Sequence, residues 1–127
     1  MPAGANRGYF WEPTVLGNVS DNALVMNEEP FGPIAPITTF RTYAEVMDRA
    51  NSLPFGLAGY VFSNALATST RAYEDLECGM VGVNEMLLAT AEAPFGGVKE
   101  SGMGREGGSY GIQDYLVPKY VKIKLAE

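Results

Sequence analysis

The chain is 127 residues long, room for one compact domain but not two. Apolar residues make up 46%, enough for a sizeable core, and a net charge of −6 argues against a nucleic-acid backbone or an anionic membrane as partner. One Cys excludes an internal disulfide and fits a reducing, cytoplasmic setting; the lack of His excludes imidazole metal sites and Ser-His or Cys-His nucleophile pairs, and no other metal site is expected.

Residues 1–8 read as an irregular lead-in without a signal-peptide pattern, and no run approaches the ~18 apolar residues of a membrane span. In YFWEPTVL (9–16), Pro13 restricts the segment to an edge strand or an extended approach. NEEPFGPIAP (27–36) holds three prolines and must be loop for much of its length, after which IAPITTF (34–40) reads as a buried strand. A helix is expected over 42–51. Thr42 and Glu45 form a capping box there, and Tyr43, Val46, Met47 and Ala50 fall on one apolar stripe. Pro54 closes that segment. A strand follows at 57–63, a second helix at 65–77 stopped by Gly79 as its C′ residue, and a strand at 80–84. Residues 85–107 carry no period, and a short helix is expected near 108–116. In VPKYVKIKL (117–125), Val121, Ile123 and Leu125 alternate with Tyr120, Lys122 and Lys124, the period of a strand with one apolar and one largely cationic face. Strands alternating with helices indicate an α/β fold with a largely parallel sheet, and no repeat or linker marks an internal boundary.

Glycine is over-represented: fifteen residues, about 12% against a usual ~7%. Residues 102–107 (GMGREG) satisfy G-x-G-x-x-G. A dinucleotide fingerprint also needs a strand directly before it and an acidic residue about 20 positions on. APFGGVKES does not read as a strand and 119–125 offers only lysines, so a tight backbone-dense turn is the preferred reading. Cys78 stands near Glu74, Asp75 and Glu77, which disfavour a thiolate, and is read as a small buried filler rather than a nucleophile. Asn84, Glu85 and Glu92 fall at the C-terminal end of a strand and in the loop beyond, where α/β sheets place ligands. They are either acid–base candidates or solvated loop polar groups. Glu28 and Glu29 open a Pro-braced loop. A carboxylate there can accept two hydrogen bonds from a sugar diol while Phe31 covers a flat ring; the alternative is a surface acid and a core aromatic.

Three segments in order, GYFWEPTVL, EEPFGPIAPITTF and APFGGVKESGMGREGG, resemble the C-terminal part of the aldehyde dehydrogenase superfamily, and the stretch 84–125 looks closest to its succinate-semialdehyde branch. The resemblance implies a partial catalytic domain over 1–116, with parallel strands and helices, and an oligomerisation strand over 117–127. It implies NAD or NADP as cofactor, with Glu29 on the nicotinamide-ribose hydroxyls and Phe31 beside the nicotinamide. It implies a small aldehyde substrate, with Phe95 lining its tunnel and residues 84–92 closing over it. Within that loop the branch tends to place a serine where this chain has Ala89, with Thr90 one position on. Residues 119–125 would join a neighbouring subunit's sheet in a homo-oligomer. The nucleophilic cysteine, the general-base glutamate and the cofactor domain of the family have no counterpart in these residues. The chain is therefore expected to supply the ribose clamp, a tunnel wall and the oligomer strand, and to be inactive alone. The competing reading is a non-catalytic α/β module or remnant that self-associates through its terminal strand.

Overall fold

The structure is a computed structural model that describes Gly4 and residues 7–126; Met1–Ala3, Ala5, Asn6 and Glu127, including most of the expected lead-in, lie outside the described residues. Where the sequence marked no internal boundary, the chain forms two compact units, Met1–Val46 and Met47–Glu127.

The first unit is built on a parallel pair, β1 (Thr14–Leu16) and β2 (Ile34–Pro36), in register Thr14↔Ile34 and Leu16↔Pro36. β1 begins directly after Pro13, which has no N–H to give to a ladder. Bonds from Thr14 N–H to the Pro33 carbonyl (2.8 Å) and from Ile37 N–H to the Leu16 carbonyl (2.7 Å) extend the ladder at both ends. One helical turn, α1 (Leu24–Asn27), lies between them. It carries no apolar period and was not legible in the sequence. The Asn27 amide fastens it by donating to the Asp21 (2.6 Å) and Ala23 (2.9 Å) carbonyls.

Helix α2 (Tyr43–Ala50) starts where the capping box placed it. Glu45 N–H donates to Thr42 Oγ1 (3.2 Å), and the Glu45 carboxylate reaches back to the N–H of Arg41 (2.8 Å), one residue before the expected Thr42. Tyr43, Val46 and Met47 of the stripe are half-buried; Ala50 is exposed.

The second unit centres on a β-α-β arrangement: β4 (Ala58–Val61), α3 (Leu66–Asp75) and β5 (Met80–Val83), with β4 and β5 parallel from Ala58↔Met80 to Val61↔Val83. Ser69 and Ala72 of α3 are buried. Gly56, Gly82 and Gly97 complete the set of buried residues in the described chain. A second, antiparallel pair joins β3 (Phe55–Gly56) to β6 (Val98–Lys99).

Several expectations need correction. α3 ends at Asp75 with Leu76 extended, so Gly79 is not its C′ residue. Glycine is required there for close approach: a Cβ at 79 would run into the Gly96 carbonyl oxygen. The segment before GMGREG does contain a strand, β6, but it is two residues long and antiparallel. The helix expected near 108–116 shrinks to a 3₁₀ turn at Gln113–Tyr115, because Gly107 (φ 72°) and Gly108 (φ 56°) hold the left-handed conformation. Residues 119–125 form no ladder among the described residues. Strand geometry needs a hydrogen-bonded neighbour, and the alternating pattern alone does not supply one.

Candidate functional site

The loop that follows β5 is shaped from its first two residues. Asn84 sits at φ 53°, a conformation that asparagine tolerates better than most residues. Its carboxamide accepts from Ser63 N–H (2.9 Å) and donates to the Ser63 carbonyl (2.9 Å), which fastens the C-terminal ends of β4 and β5 together. This amide is used structurally. The Glu85 carboxylate accepts from the N–H groups of Met86 (2.7 Å) and Leu87 (2.8 Å), which hold its pKa below the usual glutamate value. Glu92 is exposed.

The pKa of Glu85 is lower folded than unfolded, so ionised Glu85 supports this turn fully above the ordinary glutamate pKa. The support is lost as pH falls through the lowered value. On acidification, the Leu87 and Met86 amide resonances should shift together, with a midpoint below the ordinary glutamate value. Glu85→Gln should abolish that shared titration. A midpoint at or above the ordinary value would refute the assignment.

Beyond this turn, Ala89, Thr90 and Phe95 line one open hollow of about 390 Å³. These are the three residues assigned to the substrate by resemblance, and the fold brings them together. Ala91, within the 84–92 loop, and Glu106 and Gly107, from the GMGREG turn, complete the lining; the sequence reading did not connect that turn with the substrate. The missed signal was the glycine excess: at Gly107 a Cβ would lie 2.8 Å from the Ala93 carbonyl oxygen, so only glycine lets the two segments approach. No Lys or Arg lines this hollow, and Thr90 brings its hydroxyl. A larger hollow of about 780 Å³ shares Phe95, Glu106 and Gly107 and is otherwise walled mainly by the glycine-rich segment.

GMGREG forms no phosphate cradle. The Arg105 guanidinium turns inward onto the carbonyls of Gly97 and Gly104 (2.7 Å each), and Gly102 and Gly104 hold positive φ where the chain turns. Cys78 is half-buried with its thiol pushed up, first by burial and then by Glu77, while Lys99 opposes the shift. The sequence named three acidic neighbours as the cause; desolvation leads instead.

Glu29 and Phe31 lie in the first unit, on the loop between α1 and β2. Two short bonds, Gly32 N–H to the Pro30 carbonyl (3.0 Å) and Ile34 N–H to the Gly32 carbonyl (2.8 Å), bend this loop. Phe31 is 94% exposed, which rules out the core-aromatic reading within this chain. An exposed carboxylate and an open aromatic face, two residues apart on a braced loop, fit a ribose diol and an adjoining flat ring.

No helix among the described residues is long and apolar enough to cross a membrane. The profile of the aldehyde dehydrogenase family matches residues 2–121. A mitochondrial succinate-semialdehyde dehydrogenase of Arabidopsis thaliana is 53% identical over 112 residues, which is 88% of this chain and 21% of that protein. A 3-sulfolactaldehyde dehydrogenase of Pseudomonas putida is 54% identical over 114 residues, 90% of this chain and 24% of that one. Among solved structures, an NADP-dependent enzyme of E. coli superposes with a TM-score of 0.86 at 48% identity, covering 91% of this chain and 24% of that chain. The α/β arrangement of parallel strands and helices is that of aldehyde dehydrogenases, and the chain spans about a fifth to a quarter of the length of these relatives. Matched along nearly its whole length at about half identity, the chain belongs to the aldehyde dehydrogenase family.

Proposed function

We propose that this chain forms the substrate-wall and ribose-clamp portion of an NAD(P)-dependent aldehyde dehydrogenase that oxidises a small aldehyde bearing an anionic tail. The observation that carries the reading is the convergence of Ala89, Thr90 and Phe95 on one hollow in a chain of this family. The named substrates of two relatives, succinate semialdehyde and 3-sulfolactaldehyde, both carry an anion at the end away from the aldehyde. Phe95 and the alanines would pack the carbon chain, and the Thr90 hydroxyl would donate a hydrogen bond toward the tail. The one charged residue of this lining is an acid, Glu106, so the reading requires a cation supplied from outside the lining to balance the tail.

NAD(P)+, when bound, supplies the hydride acceptor. This chain's part is to hold the ribose hydroxyls on the Glu29 carboxylate and to shield the ring with Phe31. The chain by itself oxidises no aldehyde in this reading, since burial raises the pKa of its one thiol and so works against the thiolate a nucleophile needs. Residues 119–125 pair with a second copy of the enzyme, and the protein works in the cytoplasm without nucleic-acid or membrane partners. Large apolar side chains left exposed, Val15, Phe31 and Ile37 in one unit and Phe62 and Leu66 in the other, belong to surfaces that the remainder of a family-length chain covers.

The test is a chimera in which this chain replaces the matching segment of the Arabidopsis enzyme. A soluble chimera should oxidise succinate semialdehyde, and Glu29→Ala should raise KM for the cofactor roughly tenfold, the loss of charged hydrogen bonds. A folded, inactive chimera, or an unchanged cofactor KM in Glu29→Ala, would reject the reading.

A further inference from the structure

We propose that Asp114 and Arg105, which do not touch the 390 Å³ hollow, are positioning residues that set its shape through two main-chain straps. The hollow's own loop has no regular structure to hold it. It is fixed from behind by the glycine-rich segment: Phe95 and Glu106 exchange N–H···O bonds in both directions (2.7 and 2.8 Å), and Gly108 N–H donates to the Ala91 carbonyl (2.9 Å). Ala91 and Phe95 both line the hollow, so where these straps sit decides its width.

The glycine-rich segment is itself flexible by composition and must be locked. Arg105 locks one side. Its guanidinium donates to the carbonyls of Gly97, which is buried, and Gly104. Asp114, on the 3₁₀ turn, locks the other: its carboxylate accepts the Arg105 N–H (2.9 Å) and lies so close over Gly104 that a Cβ there would stand 2.5 Å from Oδ2. Displacing Asp114 therefore frees residues 104–108, and with them both straps.

The positioning role stands on these bonds; its bearing on substrate rests on the aldehyde-site reading above. Amide exchange measured by NMR on the 127-residue chain tests the first. Asp114→Ala should speed exchange at Phe95, Glu106 and Gly108 about tenfold while Met80 and Asn84, whose amides bond across the β4–β5 pair, stay protected. Asp114→Asn keeps an acceptor oxygen and should retain most of the protection. Unchanged exchange at Phe95, Glu106 and Gly108, or equal acceleration at all five amides, would overturn the proposal. Titration with succinate, an unreactive mimic, tests the second. It should shift Thr90 and Phe95 in the parent chain and do so several-fold more weakly in Asp114→Ala. If the exchange results hold and succinate shifts neither residue, the positioning role stands and the aldehyde-site reading fails.

Discussion

Gly79→Ala should lower the thermal unfolding midpoint more than any other single-methyl addition at an unstrained glycine of this chain. The new Cβ would meet the Gly96 carbonyl oxygen and come within 2.7 Å of Gly97 Cα. Both neighbours are main chain, so no rotamer change relieves the overlap. Gly79 cannot retreat either: its N–H donates to the Gly56 carbonyl (3.0 Å), and Met80 N–H to that of Leu57 (3.1 Å). Overpacking of this kind costs about 1–3 kcal/mol and more when the backbone must move. For a chain of this size, a 3 kcal/mol loss lowers the midpoint by roughly 10 °C. Gly17→Ala is the control. Nothing lies within 4 Å of its added methyl, and it should stay within about 0.5 kcal/mol of the parent. Circular dichroism melts of the two variants would decide the matter; coincident curves would show that residues 79 and 96–97 are not packed as described.

Asn84→Ala should cost about 2–5 kcal/mol in urea denaturation. Two hydrogen bonds to Ser63 vanish, each worth about 0.5–1.5 kcal/mol net, and alanine at φ 53° adds about 1–2 kcal/mol of backbone strain. Asn84→Gly separates these effects, since glycine removes the bonds without the strain and should recover about half of the loss. An alanine variant within 0.5 kcal/mol of the parent would contradict the clasp.

Features whose physics is local were legible before the structure. The Thr42–Glu45 capping box, the apolar stripe of α2 and the helix between two apolar strands emerged close to their expected positions because each rests on neighbours within a few residues. Features that depend on distant backbone were not. Gly79 reads as a helix stop until Gly96 is seen against it, and Asn84 reads as a ligand candidate until Ser63, 21 residues earlier, takes up its amide. The same holds for the 3₁₀ turn: nothing in its own residues announces that Asp114 will be spent on Arg105. In the site, Phe95 and the 84–92 loop with Ala89, Thr90 and Ala91 were reached through family resemblance, whereas the part played by Glu106 and Gly107 required the fold. Residues 117–125 show the converse case, a strong pattern whose completion depends on something outside the pattern.

The straps behind the hollow bear on how such a site can diversify. Ala91, Phe95, Glu106 and Gly108 are joined through peptide groups, not side chains. Every amino acid but proline carries the same donor and acceptor, so replacing Ala91 leaves its carbonyl strap in place, and Ala89 and Thr90 take no part in the straps. Gly107 apart, where any Cβ would meet the Ala93 carbonyl, the wall of the hollow can thus change chemistry by point mutation without an accompanying loss of anchorage. Proline at 95, 106 or 108 is the exception, since it would delete a donor. A scaffold fastened in this way separates substrate choice from stability, and new substrate preferences can accumulate one substitution at a time.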